Sequence, residues 1–136
     1  MFSAKYFIEL NTTPKQVFSA LTSVHGLKSW WTEDTALICK SPKTYSFSFT
    51  SGAFNKMQSI EEKPFLIEWV CIDGDPEWVD TRLTFEIIAP NNDCNTTKVR
   101  FTHGQWEQNS DYLALCNTFW GYYLFNLKKY LEEGKV

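Results

Sequence analysis

The sequence has little positive charge in the form that holds nucleic acid. Of its 13 cationic residues only Arg82 and Arg100 are arginines, and no run of Lys or Arg forms a basic stripe. The formal net charge is -3, with a pI near 5.4. Phosphate backbones are bound by clustered cations, so nucleic acid is not an expected partner. Histidine is equally scarce. His25 and His103 stand alone, without the spacing of metal ligands, so no metal is expected. The four cysteines, Cys39, Cys71, Cys94 and Cys116, form no C-x-x-C pair. Their even count allows a disulfide, while a Cys inside an apolar pattern also serves as a small hydrophobe. No glycine loop could cradle a phosphate, and no nucleophile turn joins Ser, His and an acid; no cofactor is expected. Paired carboxylates for acid–base work are missing too. Asp73 and Asp75 flank a turn, where Asp is favoured for backbone reasons, and Asp80 and Glu86 fall on a polar strand face. No apolar run approaches the roughly 20 residues that span a bilayer. Met1–Leu10 lacks the basic start and the apolar length of a secretory signal. Together these absences lead us to expect a soluble, cytoplasmic protein in which binding outranks catalysis.

What the chain does have is aromatic mass. Hydrophobic residues make up 43% and charged residues 21%, and the 17% of aromatics includes six Trp and eleven Phe. Rings in that number either fill a core tightly or line a cavity. At 136 residues one domain spanning 1–136 is expected, with enough chain for a full core.

The longest periodic stretch is the last. From Asp111 to Glu133, apolar or aromatic residues recur at Tyr112, Leu115, Cys116, Phe119, Trp120, Tyr123, Leu124, Leu127, Tyr130 and Leu131. Steps of three and four predict a helix whose apolar arc covers about half its circumference, wider than a coiled-coil seam. Such a helix needs a broad surface to lie across. Asn126 falls near one edge of the arc. Asn109, Ser110 or Asp111 can cap the helix.

The rest of the chain supplies that surface. Phe2–Leu10 reads as a strand with Tyr6, Ile8 and Leu10 on one face, interrupted by Phe7. Thr12 or Thr13 can cap a helix that starts at Pro14 and carries Val17, Phe18 and Leu21. A break at His25-Gly26 leads to a second helical turn over Leu27–Trp31. Strands follow. Tyr45, Phe47 and Phe49 alternate with Ser46, Ser48 and Thr50. Ala53–Ile60 returns with poor alternation, and Phe65–Ile72 is apolar on both faces apart from Glu68. After the loop residues Asp73–Pro76, Trp78–Ile88 alternates best, with Thr81, Leu83, Phe85 and Ile87 facing one way. Pro90–Asp93 turns the chain, and Lys98–Gly104 points Val99, Phe101 and His103 inward. Short loops imply antiparallel pairing. The expected class is α+β: a curved antiparallel sheet of about six or seven strands wrapped around the long C-terminal helix, with two short helices after the first strand.

That order resembles the START-like helix-grip superfamily, also called SRPBCC or Bet v 1-like. Ile8–Leu10, Thr13–Thr22 and Gly26–Thr32 resemble the opening of one branch, the homologues of the activator of heat shock protein 90 ATPase. Phe101–Gly104, Trp120 and Leu127–Gly134 resemble its closing pattern. The resemblance implies a cavity between sheet and helix that holds a hydrophobic or aromatic molecule, such as a lipid or a polyketide-like compound. It implies a possible chaperone partner as well. However, 136 residues leave no room for the additional N-terminal domain of the chaperone activator, so activation of a chaperone is not carried over.

Strand parity, helical phase and this resemblance select the candidate ligand-binding residues. They are Trp30, Trp31, Phe47, Trp69, Thr81, Phe85, Phe101, His103, Trp120 and Tyr123, with Cys71 as a further wall. Thr81, Tyr112 and Tyr123 could supply the polar points that orient a ligand. His103 could orient a ligand carbonyl or act as a general base. It could equally be a hydrogen-bonded histidine at the rim of the sheet, and for every other wall residue plain packing is the competing reading. Three functions follow: a small-molecule binding protein, a protein-interaction module associated with a chaperone in the stress response, or a cyclase- or hydrolase-like enzyme with His103 as its base. The oligomeric state, monomer or homodimer, is open, because an exposed sheet edge can pair between chains.

Overall fold

The computed structural model describes residues 1–91 and 96–134. Strand β1 (Phe2–Leu10) leads into helices α1 (Pro14–Thr22) and α2 (Val24–Trp30). Six strands follow: β2 (Asp34–Lys40), β3 (Lys43–Ser48), β4 (Phe54–Lys63), β5 (Leu66–Gly74), β6 (Arg82–Ile88) and β7 (Thr97–Trp106). Helix α3 (Asp111–Glu133) closes the chain. All seven strands form one antiparallel sheet in the order β1-β7-β6-β5-β4-β3-β2. Each strand from β2 to β6 pairs with its successor, and β1 adds to the far side of β7. This is the expected helix-grip arrangement, with α3 lying against β1, α1 and α2 on the concave face.

The helix ends follow from local chemistry. Thr13 caps α1 in a complete capping box with Gln16, and Pro14 takes the first position, where a missing N–H leaves no bond unmade. Ser110 caps α3 by accepting from the Leu113 amide. At the other end of α3, Gly134 adopts φ +78, the left-handed conformation that ends a helix and that glycine takes without steric cost.

Several boundaries differ from the sequence expectation, each for a physical reason. The break between α1 and α2 lies at Ser23, which terminates one helix and caps the next, and not at His25-Gly26. Gly26 sits inside α2 because a Cβ there would lie 2.6 Å from both Cα and O of Ala20. The glycine allows α1 and α2 to touch. Strand β2 was not recognisable from alternation, since all of its residues but Thr35 are exposed. The poor alternation of β4 reflects two register shifts against β5, at Lys56/Met57 and Ser59/Glu61. Trp78–Thr81, expected to begin a strand, forms a turn that starts at Asp75 and leaves Asp80 at φ +72. β7 runs two residues further than expected. Gln105, at φ +66, faces solvent and turns Trp106 inward to near-complete burial. Of the turn expected at Pro90–Asp93, residues 92–93 lie outside the described residues, as does Cys94.

The convex face carries ion pairs that use both arginines, Arg82 with Glu68 at 3.1 Å and Arg100 with Glu86 at 2.6 Å. The concave face is aromatic. Phe101 and Trp120 approach to 4.5 Å between ring centroids, Phe85 and Phe101 to 4.9 Å, and Trp31 and Phe47 to 4.1 Å.

The close approach of α1 and α2 can be tested directly. Gly26→Ala drives a methyl into the Ala20 backbone and should destabilise the fold by about 1–3 kcal/mol, the range for overpacking a tight site. Equilibrium urea unfolding of the variant beside the parent protein measures it.

Candidate functional site

Trp120 and His103 divide the concave face. The Trp120 indole donates from Nε1 to His103 Nδ1 at 3.0 Å, which leaves the imidazole proton on Nε2. Nε2 is 2.8 Å from Thr81 Oγ1, and that hydroxyl in turn donates to the Trp78 carbonyl at 2.5 Å. Both ring nitrogens are therefore engaged. His103 is 0% exposed, and burial pushes its pKa down to about 3. Among this set, His103 comes from β7, Thr81 from the turn that leads into β6 and Trp120 from α3, so the relay fixes the helix above the strands.

Beyond that relay the helix stands off from the sheet. A cleft of about 1050 Å³ opens between the N-terminal half of α3 and the ends of β3, β4 and β5. Trp31, Phe49, Phe54 and Trp78 line it from the sheet side, and Tyr112, Phe119, Trp120, Tyr122 and Tyr123 from the helix. The volume is at the upper end of what small-molecule sites occupy. Leu115, Phe119 and Tyr122 are large side chains left about half exposed at its mouth.

Several polar groups around the cleft have partners. Trp78 Nε1 donates to Cys116 Sγ at 3.3 Å, Thr32 Oγ1 donates to Ser48 O at 2.7 Å, and Asp75 Oδ1 accepts the Glu77 amide at 2.9 Å. Burial, helped by Cys116, Asp75 and Glu77, raises the Tyr112 phenol well above its usual range. Asn55 differs from these. It is 4% exposed and lines the cleft, yet its Oδ1 is buried with no hydrogen-bond partner. An orphaned buried acceptor costs about 1–3 kcal/mol, which needs a reason. Asn55 pairs with Gly74 across β4 and β5, and Gly74 at φ +138 brings the strands so close that a Cβ would meet Phe54 O at 2.7 Å. Trp106 Nε1 is also buried and unpartnered, but it does not line the cleft.

A second polar cluster seals the far end of the sheet. Glu62 accepts from Lys43 Nζ at 2.7 Å, Tyr45 OH at 2.9 Å and Trp69 Nε1 at 3.0 Å. Lys43 also reaches the Thr22 carbonyl at the end of α1. Its groups satisfy one another. Among the described residues, no group of three or more His, Cys, Asp or Glu could hold a metal ion.

Comparison with known proteins places this geometry. Residues 11–132 match the family described as activator of Hsp90 ATPase homolog 1-like protein. The chain belongs to this family. The Aha1 dimer from Colwellia psychrerythraea, solved in solution, is 31% identical with a TM-score of 0.86, and the match covers 100% of both chains. More distant structures share the fold alone. DynU16, from the dynemicin biosynthetic locus, is 14% identical with a TM-score of 0.76, over 98% of this chain and 48% of that one. SSP2350 from Staphylococcus saprophyticus is 19% identical with a TM-score of 0.76, over 99% and 95%. No curated protein matches the sequence.

In this Hsp90-activator-like chain the candidate residues separate into two groups. Trp31, Trp120 and Tyr123 line the cleft, together with Tyr112. Trp30, Phe47, Trp69, Thr81, Phe85, Phe101 and His103 are buried within 2% of completely and lie in the packed part, as does Cys71. The cleft residues that sequence reasoning missed are chiefly Asn55, Phe54, Trp78, Leu115 and Phe119 as an exposed lining. Inward parity on β4 would have flagged Asn55, had the register shifts not obscured it. Asn126, at the edge of the apolar arc, is 8% exposed and lines the cleft.

His103 makes stability depend on pH. The unfolded chain protonates this imidazole near its ordinary 6.5, the folded chain only near 3. Its contribution is therefore complete above about pH 6.5 and is lost as pH falls through that window, at about 1.4 kcal/mol per unit. Between pH 6.5 and 5, unfolding free energy should fall by about 2 kcal/mol on this account. His103→Gln should flatten that part of the profile, whatever its absolute stability, in chemical denaturation repeated across the range.

Proposed function

We propose that this protein binds a hydrophobic or aromatic small molecule in the cleft between α3 and the ends of β3–β5. One observation carries the reading: a space of about 1050 Å³ walled by nine aromatic side chains and left open in an otherwise tightly packed concave face. Helix-grip relatives make a ligand-binding role reasonable, and the cleft gives that role a location. A lipid or polyketide-like compound fits such walls in size and polarity. The enzyme reading has weaker support. His103, its intended base, has both nitrogens engaged and no surface on the cleft. Cys39, Cys71 and Cys116 are free thiols, which suits a reducing compartment such as the cytoplasm.

The experiment is a titration with the neutral dye Nile red, read by fluorescence, alongside native mass spectrometry of freshly purified protein. Saturable binding is expected. Ala53→Trp, which fills the cleft from its exposed rim, should weaken it by about tenfold, equivalent to 1.4 kcal/mol. Binding that does not saturate, or that ignores the filled cleft, would overturn the reading.

A second reading concerns self-association. Leu115, Phe119 and Tyr122 at the mouth of the cleft and Phe125 beyond it form a stripe along α3, each 49–60% exposed. Apolar stripes of this kind mark contact surfaces. The 31% identical relative is a dimer, so a second copy of this chain is the occupant we favour. The chaperone-associated reading rests on the family description and points to no surface of this chain. Phe125 lies outside the cleft, so Phe125→Glu should shift sedimentation from dimer to monomer without emptying the cleft. A monomeric parent protein at high concentration would sink the idea.

A further inference from the structure

The polar chemistry of α3 narrows the ligand, on the reading that the cleft is a binding site. We infer that Asn126 anchors a neutral ligand carrying a hydrogen-bond donor and an acceptor side by side on an aromatic or apolar body. A lactam or a carboxamide is such a group.

Helix geometry aims Asn126 into the cleft. At about 100° per residue it stands within about 20° of Leu115 and Phe119, and about 60° from Tyr123, around the axis of α3. Those three residues line the cleft, and so does Asn126 itself, which is only 8% exposed. Its amide makes no hydrogen bond within the protein, yet neither Oδ1 nor Nδ2 is sealed away as Asn55 Oδ1 is. Asn126 is thus a buried side chain whose two polar atoms remain accessible on the cleft side and unanswered. The other polar groups there differ from it: Thr32 is committed to Ser48, Trp78 to Cys116 and Asp75 to the Glu77 amide.

The rings beside Asn126 suit a flat apolar body. Tyr123, one turn earlier on α3, lies 6.4 Å from Trp31 and 6.3 Å from Phe49 between ring centroids, and all three line the cleft. A body that settles on these rings excludes solvent from the amide one turn away. Both amide atoms then need a partner, because a polar group shut away from water without one is costly. A carboxylate accepts from Nδ2 but offers Oδ1 nothing, and an ammonium donates to Oδ1 but offers Nδ2 nothing. A hydrocarbon answers neither. A lactam or carboxamide answers both in one plane, as one amide pairs with another.

The test compares 2-quinolone, N-methyl-2-quinolone and 2-methylnaphthalene, titrated by calorimetry at pH 7 into the full chain. The first carries donor and acceptor, the second only the acceptor and the third neither. 2-Quinolone should bind about tenfold more tightly than its N-methyl form, as loss of one hydrogen bond to a buried acceptor requires. Asn126→Leu should abolish that preference and leave 2-methylnaphthalene bound at least as tightly as before. Asn126→Ala, which cannot obstruct the cleft, should abolish it too. Taking the ratio of the two quinolones within each variant cancels general effects on the cleft. Equal binding of the two quinolones to the parent protein overturns the inference, and so does a preference that survives both substitutions. If none of the three binds while Nile red still saturates, this inference falls and the cleft stands as a binding site. If Nile red fails as well, both fall.

Discussion

The separation between α3 and the sheet is set by a hydrogen-bonded relay buried beneath the helix. Trp120 reaches His103, His103 reaches Thr81, and Thr81 reaches the Trp78 carbonyl. Each group in that line has a partner that no water could replace without opening the core. A neutral imidazole is the only form that can accept from the indole and donate to the hydroxyl at once. Burial keeps it neutral, so the relay and the dry surroundings sustain each other. The helix is thereby held at one height and one rotation. Its apolar arc then divides: Trp120, Leu124 and Leu127 go down onto the core, while Leu115, Phe119 and Tyr122 are left along the cleft.

The two ends of the concave face show two solutions to burying polar atoms among rings. At the closed end, Glu62 gathers Lys43, Tyr45 and Trp69, and the carboxylate is compensated on every side. The burial and the Glu62 charge drive the Tyr45 phenol far above its usual range, so it remains a donor. At the open end Asn55 has no such company. A fold that satisfies a half-buried carboxylate so fully at one end has no general difficulty in supplying donors. The orphaned acceptor at the other end is therefore a local feature of the close β4–β5 approach at Asn55 and Gly74.

Much of this was legible in the sequence, because periodicity reports which residues face inward. The bounds of α3, the Thr13–Pro14 start of α1 and the inward set Val99, Phe101 and His103 all follow from spacing and capping chemistry. Superfamily and branch followed from local motifs over most of the chain. What spacing does not report is distance between elements. Phe47, Trp69, Phe85 and Phe101 point inward as parity requires, but inward means packed there and open a few residues further along. Parity also fails where the backbone departs from it. The shifts in β4 hide Asn55 and bring the half-buried Glu62 to Tyr45 and Trp69, the bulge at Gln105 rescues Trp106, and the turn at Asp75 places Trp78 on the cleft. β2 was illegible for another reason. As an edge strand it exposes Leu37, Ile38 and Cys39, so no alternation marks it.

The asymmetry of the cleft follows from where the cations went. Arg82 and Arg100 answer Glu68 and Glu86 on the convex face, Lys56 answers Asp73, and Lys43 answers Glu62 at the closed end. Each of those pairs crosses between neighbouring strands and so stabilises the sheet where cross-strand partners face each other. Glu33 and Asp75 lie outside the strands, and Asp34, which opens β2, faces the uncharged Ser48 of β3. The acidic rim is thus the remainder of a pairing scheme that ends with the strands, and the net charge of -3 is expressed partly there. That rim carries a field without cationic partners, with the aromatic faces of the cleft immediately behind it.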